Sequence, residues 1–210
     1  MKKLQKWLPG FLIFAVLLAS LASGAAYAKY VTQKQFDGSV TIKAELGTIT
    51  LQEHEAIRDP KLGSYSLGTK EVTSNTYTII PGLDIPKDPF VTVDKQSPIP
   101  VYVFVEVVSK LDGSAVSFEI DDANWKRLEI GGVPYQGANK GWVYYYTGGT
   151  GDAVAVTADI SEIYILKNKQ VIIGQELLHD TPSDLGLTFY ACMGQAVNGD
   201  ALSLIYDRAK

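Results

Sequence analysis

Val101-Tyr102-Val103-Phe104-Val105-Glu106-Val107-Val108 reads as one β-strand with no solvent face. Valines alternate with Tyr102, Phe104 and Glu106, and successive side chains of a strand point to opposite sides of the sheet. Both sides of this strand are therefore largely apolar. Such a strand lies inside a sheet that is covered on both faces.

Period-2 patterning recurs on either side of it. Val40, Ile42, Ala44 and Leu46 alternate with Ser39, Thr41, Lys43 and Glu45, and Ile49 and Leu51 continue the pattern past Gly47. Thr76 to Ile80 is a β-branched run stopped by Pro81-Gly82, and Phe90 to Val93 is another short strand. Trp142 to Thr147 carries aromatic residues on both faces. Ala153 to Ala158 and Ile163 to Leu166 follow, and Lys167-Asn168-Lys169 turns the chain into Val171-Ile172-Ile173. Leu187 to Met193 completes the set. Helical signals are few: Asp121 to Leu128 as a turn or short helix carrying Trp125 inward, and a final helix capped by Asp200, with Ala201, Leu202, Ile205 and Ala209 at helical spacing. Eight or nine short strands between Gly, Pro and Asn turns predict an all-β fold, an antiparallel β-sandwich of jelly-roll type with one or two short helices. Pro81, Pro86, Pro89, Pro98 and Pro100 remove amide donors around the Phe90 strand, which places that region at an edge or bulge.

The first 28 residues read differently. Lys2, Lys3 and Lys6 precede an uncharged stretch from Trp7 to Ala28, almost wholly apolar from Phe11 to Leu21 and closing on Ala26-Tyr27-Ala28. A basic start, an apolar core and small residues at the last and third-last positions define a secretory leader cut between Ala28 and Lys29. A retained anchor is the competing reading, because the uncharged stretch is nearly long enough to span a bilayer. Both readings place the remainder outside the cytoplasm, secreted or at the cell surface, with membrane contact only through an uncleaved leader.

Cleavage leaves Lys29 to Lys210, enough chain for one secreted domain with a substantial core. Without the three leader lysines, 16 Lys and Arg stand against 23 Asp and Glu, a net charge near −7. No basic patch is present, so nucleic acid and anionic lipid are poor partners. Cys192 is the one cysteine. No intramolecular disulfide is possible, and its apolar neighbours make it a small core residue rather than a reactive thiol.

Three stretches together carry a family resemblance: Ala26-Tyr27-Ala28 followed by Lys29-Tyr30-Val31-Thr32; Phe36-Asp37-Gly38-Ser39-Val40-Thr41-Ile42; and Ile79-Ile80-Pro81-Gly82 through Val91-Thr92-Val93, leading to Val101-Tyr102-Val103. The chain resembles the TasA/camelysin type of exported proteins, whose leaders are cut by a dedicated SipW-type signal peptidase. It departs from that type by Pro86 and Pro89 within the block, and by lacking long lysine-rich insertions and a C-terminal sorting motif. The resemblance implies a structural subunit of an extracellular fibre or biofilm matrix, associating with itself or with a related fibre protein. In such fibres the freed N-terminal segment lies in a neighbour's sheet as a donated strand. The corresponding segment here is Lys29 to Gly38, with Tyr30, Val31 and Phe36 as its hydrophobic anchors. An extended segment of this kind satisfies an open edge with backbone hydrogen bonds. A merely flexible N-terminus is the alternative.

Chemistry-bearing motifs are sparse. Camelysin-like relatives are assigned to the metallopeptidases, but a thermolysin-type site needs a second histidine four positions after the first. His54-Glu55 is followed there by Arg58, and the other histidine, His179, stands beside Asp180. Asp121-Asp122-Ala123-Asn124 lacks the spacing of a calcium loop and reads as carboxylates capping a helix start, with loop-bound calcium as the alternative. Trp142, Tyr144, Tyr145 and Tyr146 with Tyr135 suggest either a sugar-stacking platform or core and edge cover. The sequence thus points to a non-enzymatic protein without a cofactor. A monomeric module binding glycan or protein is the second reading, and a metallopeptidase the third.

Overall fold

The structure is a computed structural model that describes residues 46–111, 115–175 and 185–210. It is all-β and antiparallel, as the patterning predicts. One four-stranded sheet runs β2 (Tyr65–Val72), β1 (Thr48–Arg58), β4 (Phe90–Asp94), β11 (Ile160–Tyr164). The second runs β13 (Leu187–Gln195), β5 (Val101–Ser109), β10 (Trp142–Tyr146), β7 (Trp125–Arg127). A smaller sheet orders β3 (Ile85–Pro86), β12 (Gln170–Ile173) and β6 (Val116–Ser117), and β8 (Glu129–Ile130) pairs with β9 (Val133–Pro134). Among the described residues one α-helix, α1 (Leu202–Arg208), follows β13.

β5 holds the place its sequence demands, between β13 and β10. Val103, Val105 and Val107 meet Val91, Val93 and Ile163 of the facing sheet in the main core, joined by Leu46, Trp125 and Met193. The opposite face of the same strand carries Phe104, which packs with Val143, Tyr145, Leu128 and the α1 residues Ile205 and Tyr206. A third cluster joins Ile85, Val116, Val171 and Ile173 of the small sheet to Leu166, which bridges Ile120.

Several expected elements differ, each for a physical reason. β1 begins at Thr48, after Gly47, and runs on to Arg58; Val40 to Glu45 lie outside the described residues. Thr76 to Ile80 forms no strand. Asn75 instead presents its amide to β1 where the register shifts between His54 and Ala56: Ala56 N donates to Asn75 Oδ1 at 2.9 Å and Asn75 Nδ2 to the His54 carbonyl at 2.8 Å. A side chain there satisfies the groups that a paired strand would take. Ala153 to Ala158 is reduced to one bridge, between Val156 and Val101.

The Phe90 strand is not an edge, since β4 lies between β1 and β11, but the bulge expected as the other possibility is present: the β11 pairing with β4 shifts register between Ile160 and Ile163. The prolines sit outside it, and proline loses only its donor: the Pro89 carbonyl still accepts from Ile165 N at 2.8 Å. Pro86 does occupy an edge, in β3. Asp121 to Asn124 is a turn rather than a helix, and Trp125 opens β7 with its ring buried and Nε1 donating to the Tyr164 carbonyl at 2.8 Å. The residue at the start of α1 is Ala201, which has no side-chain acceptor to cap it; Asp200 lies one position earlier and accepts from Arg208.

Phe104 is fully buried between β5 and α1. Phe104→Ala should therefore cost about 3–5 kcal/mol, the usual range for emptying an aromatic core site. A urea titration followed by tryptophan fluorescence measures it, and a loss below about 1 kcal/mol would contradict the double coverage of β5.

Candidate functional site: an open sheet edge beside a buried carboxylate

The leader residues Ala26 and Ala28, the new N-terminus Lys29, the donor anchors Tyr30, Val31 and Phe36, and His179 all lie outside the described residues. Leu46, the first residue described, is almost fully buried in the main core. Its carbonyl accepts from Lys95 Nζ at 2.9 Å, and the same ammonium reaches the Ile99 carbonyl at 2.6 Å. Gly47 follows at φ 118°, a left-handed conformation that favours glycine, where a Cβ would strike the Asp94 carbonyl. The chain upstream of β1 is thus rooted at a fixed point of the sandwich.

His54 is committed to its neighbours. Nδ1 lies 2.7 Å from Asp88 Oδ2, its backbone N–H donates to Asp88 Oδ1 at 3.0 Å, and its ring packs on Phe90. Beside it Lys87 Nζ and Glu53 Oε2 pair at 2.7 Å, both side chains largely buried. These contacts tie β1 to the segment between β3 and β4. No group of three His, Cys, Asp or Glu side chains able to hold a metal occurs among the described residues. Asp121 spends its carboxylate locally, Oδ1 accepting from Ala123 N and Oδ2 from Asn124 Nδ2.

The aromatic run is divided between two faces. Tyr144 and Tyr146 pack against the main core, Tyr145 and Tyr135 lie with the α1 cluster, and Trp142 is partly exposed at 40%. A flat stacking platform does not form. Burial pushes the Cys192 thiol up to about 12, which keeps it protonated and unreactive.

Glu106 is a site that motif reading missed. Its carboxylate is 1% exposed on the α1 side of β5. Oε1 accepts from the backbone N–H groups of Asn139 at 2.8 Å and Gly141 at 2.9 Å. Oε2 accepts from Asn139 Nδ2 at 2.9 Å, Tyr206 Oη at 2.9 Å and Lys210 Nζ at 3.1 Å. One carboxylate thereby fastens the loop before β10 and the end of α1 onto the second sheet. Position 141 has to be glycine, because a Cβ would lie 2.8 Å from Glu106 Cγ and 2.6 Å from the Val107 carbonyl. The signal for this site is visible in the sequence: a lone charge inside an apolar strand has to be matched by donors.

Two long strands form outer edges among the described residues, β2 in the first sheet and β13 in the second. β2 carries Lys70 and Glu71; β13 carries no charge and no proline over nine residues. An edge without such features is a template for another strand. No family model, no curated protein and no solved structure matches the chain.

Desolvation raises the pKa of Glu106, but donors from Gly141, Asn139, Lys210 and Tyr206 outweigh it, leaving the group below its ordinary 4.5. A depressed carboxyl contributes stability that is complete above the ordinary value and is lost as pH falls through the lower folded value. Glu106→Gln should lose at least about 1.5–3 kcal/mol at neutral pH, the worth of one hydrogen bond to a charged group. It should also flatten the acid limb of the stability profile, read from urea titrations between about pH 3 and 7. An acid limb as steep as that of the parent would show that another group controls it.

Proposed function

We propose that the chain is a secreted, non-enzymatic structural subunit of a bacterial extracellular fibre or biofilm matrix. Its leader is removed after Ala28, and the freed segment from Lys29 pairs with a neighbouring subunit. The observation that carries this reading is the uncharged outer edge of β13 on a sandwich whose upstream chain is rooted at Leu46. The leader and the TasA/camelysin resemblance support it from the sequence. The other two readings draw less support: the aromatic residues of a glycan-binding module are split between two faces, and the ring of His54 is held by Asp88.

Deleting Tyr30 to Phe36 from the mature chain should leave a folded monomer with an unchanged thermal midpoint and abolish filaments in negative-stain micrographs. Normal filaments from the deleted chain would refute strand donation through this segment.

A further inference from the structure

The pairing pattern of β13 fixes which of its backbone groups face outward. Ala196 N donates to the Pro100 carbonyl and Lys110 N to the Gly186 carbonyl, both at 2.8 Å, bracketing a nine-residue ladder in which Leu187 opposes Ser109 and Gln195 opposes Val101. Antiparallel pairs alternate between hydrogen-bonded and non-bonded. With positions 186 and 196 both bonded toward β5, the even-numbered residues between them are bonded as well. Leu187, Phe189, Ala191, Met193 and Gln195 therefore turn their N–H and C=O groups away from β5. No backbone bond from these five residues to another described residue covers that side.

The remaining edges are poorer templates. β7 has three residues, the first half of β1 leaves only Thr48 to Gln52 unpaired beyond the end of β2, and β11 shifts register between Ile160 and Ile163. β2 carries Lys70 and Glu71 and faces the register shift at His54 in β1. β13 pairs with β5 through all nine residues without a shift. Its inward side chains, Leu187, Phe189 and Ala191, are partly buried against the main core, the first two also against the cluster of the small sheet.

Resting on the strand-donation reading, we infer that the outer edge of β13 is the acceptor, and that its occupant is Lys29 to Gly38 of a second copy, laid antiparallel. Every strand pair among the described residues is antiparallel. Chain length then decides between copies. Leu46 lies beside Lys95 and Ile99, at the end of the sandwich where β13 finishes opposite Val101. In its own copy, a segment antiparallel to β13 would end at the far end of the strand. Gly38 to Leu46 would then have to return along the whole of β13. Those eight steps reach about 26–29 Å when fully extended. β13 itself spans about 27 Å. No slack remains for the turn. From a neighbouring copy no return is needed.

The test uses the mature full-length chain. Ala191→Pro removes an outward N–H without touching the ladder to β5, a position where an edge strand tolerates proline. Filament mass should fall at least tenfold while the circular dichroism spectrum is kept. A second measurement needs no such substitution: a benzophenone side chain at exposed Tyr190, in an equal mixture of nitrogen-15 and natural-abundance chains, should crosslink to Lys29–Gly38 of the other isotope. The same probe at Lys70 in β2 should not. If Ala191→Pro filaments are undiminished, or the Lys70 probe takes the crosslink, the β13 assignment falls while strand donation stands. Crosslinks confined to one isotope overturn the second-copy occupant. Absence of any self-association in the parent chain overturns both.

Discussion

A strand that is apolar on both faces has to be covered twice, and most of the architecture follows from that demand in β5. Val103, Val105 and Val107 call for a facing sheet, which β1, β2, β4 and β11 supply. Phe104 calls for a second cover, which α1 and the segment around Leu128 supply. The chain has one cysteine, so these two layers are held by packing and hydrogen bonds alone. A helix of seven residues is too short to persist by itself in water. It exists because Ile205 and Tyr206 have somewhere apolar to go.

Charge is handled by enclosure. Glu53 meets Lys87, Asp88 meets His54, and Glu106 collects five donors, so each buried carboxylate ends in a satisfied cluster. Compared with an apolar core of the same shape such clusters gain little, but removing one partner leaves a buried charge uncompensated and is costly. Each of the three also joins elements distant in sequence: β1 to the β3–β4 segment, and β5 to the loop at Asn139 and to the chain end.

How much was legible depended on whether burial left an apolar mark. β4, β5, β10 and β13 stood out because their runs are valine-rich or aromatic. β2 and the second half of β1 did not: Gln52, Glu53, His54 and Glu55 look like loop residues, and Glu53 is buried only because Lys87 comes to it from 34 positions away. Long-range partners of that sort leave no local periodicity. The prolines pointed to the register shift against β4 but also to an edge that does not exist. They mark missing donors, yet β4 keeps its central place because they lie just outside it and Pro89 contributes through its carbonyl. Of the candidate site, the aromatic run was legible as residues but not as faces, since Tyr144 and Tyr145 part company by strand alternation. Glu106 was visible as an anomaly, while its donors at Asn139, Gly141, Tyr206 and Lys210 were not.

The Lys95 clasp has a mechanical corollary. Because one ammonium grips the carbonyls of both Leu46 and Ile99, and Leu46 is sunk into the core, a pull on the upstream chain is met before it reaches the first rung between Thr48 and Asp94. The sandwich has, in effect, a strain relief like that on a cable. Tension along a tether would be taken up by a buried leucine and a two-pronged lysine, leaving the sheet beyond them undisturbed.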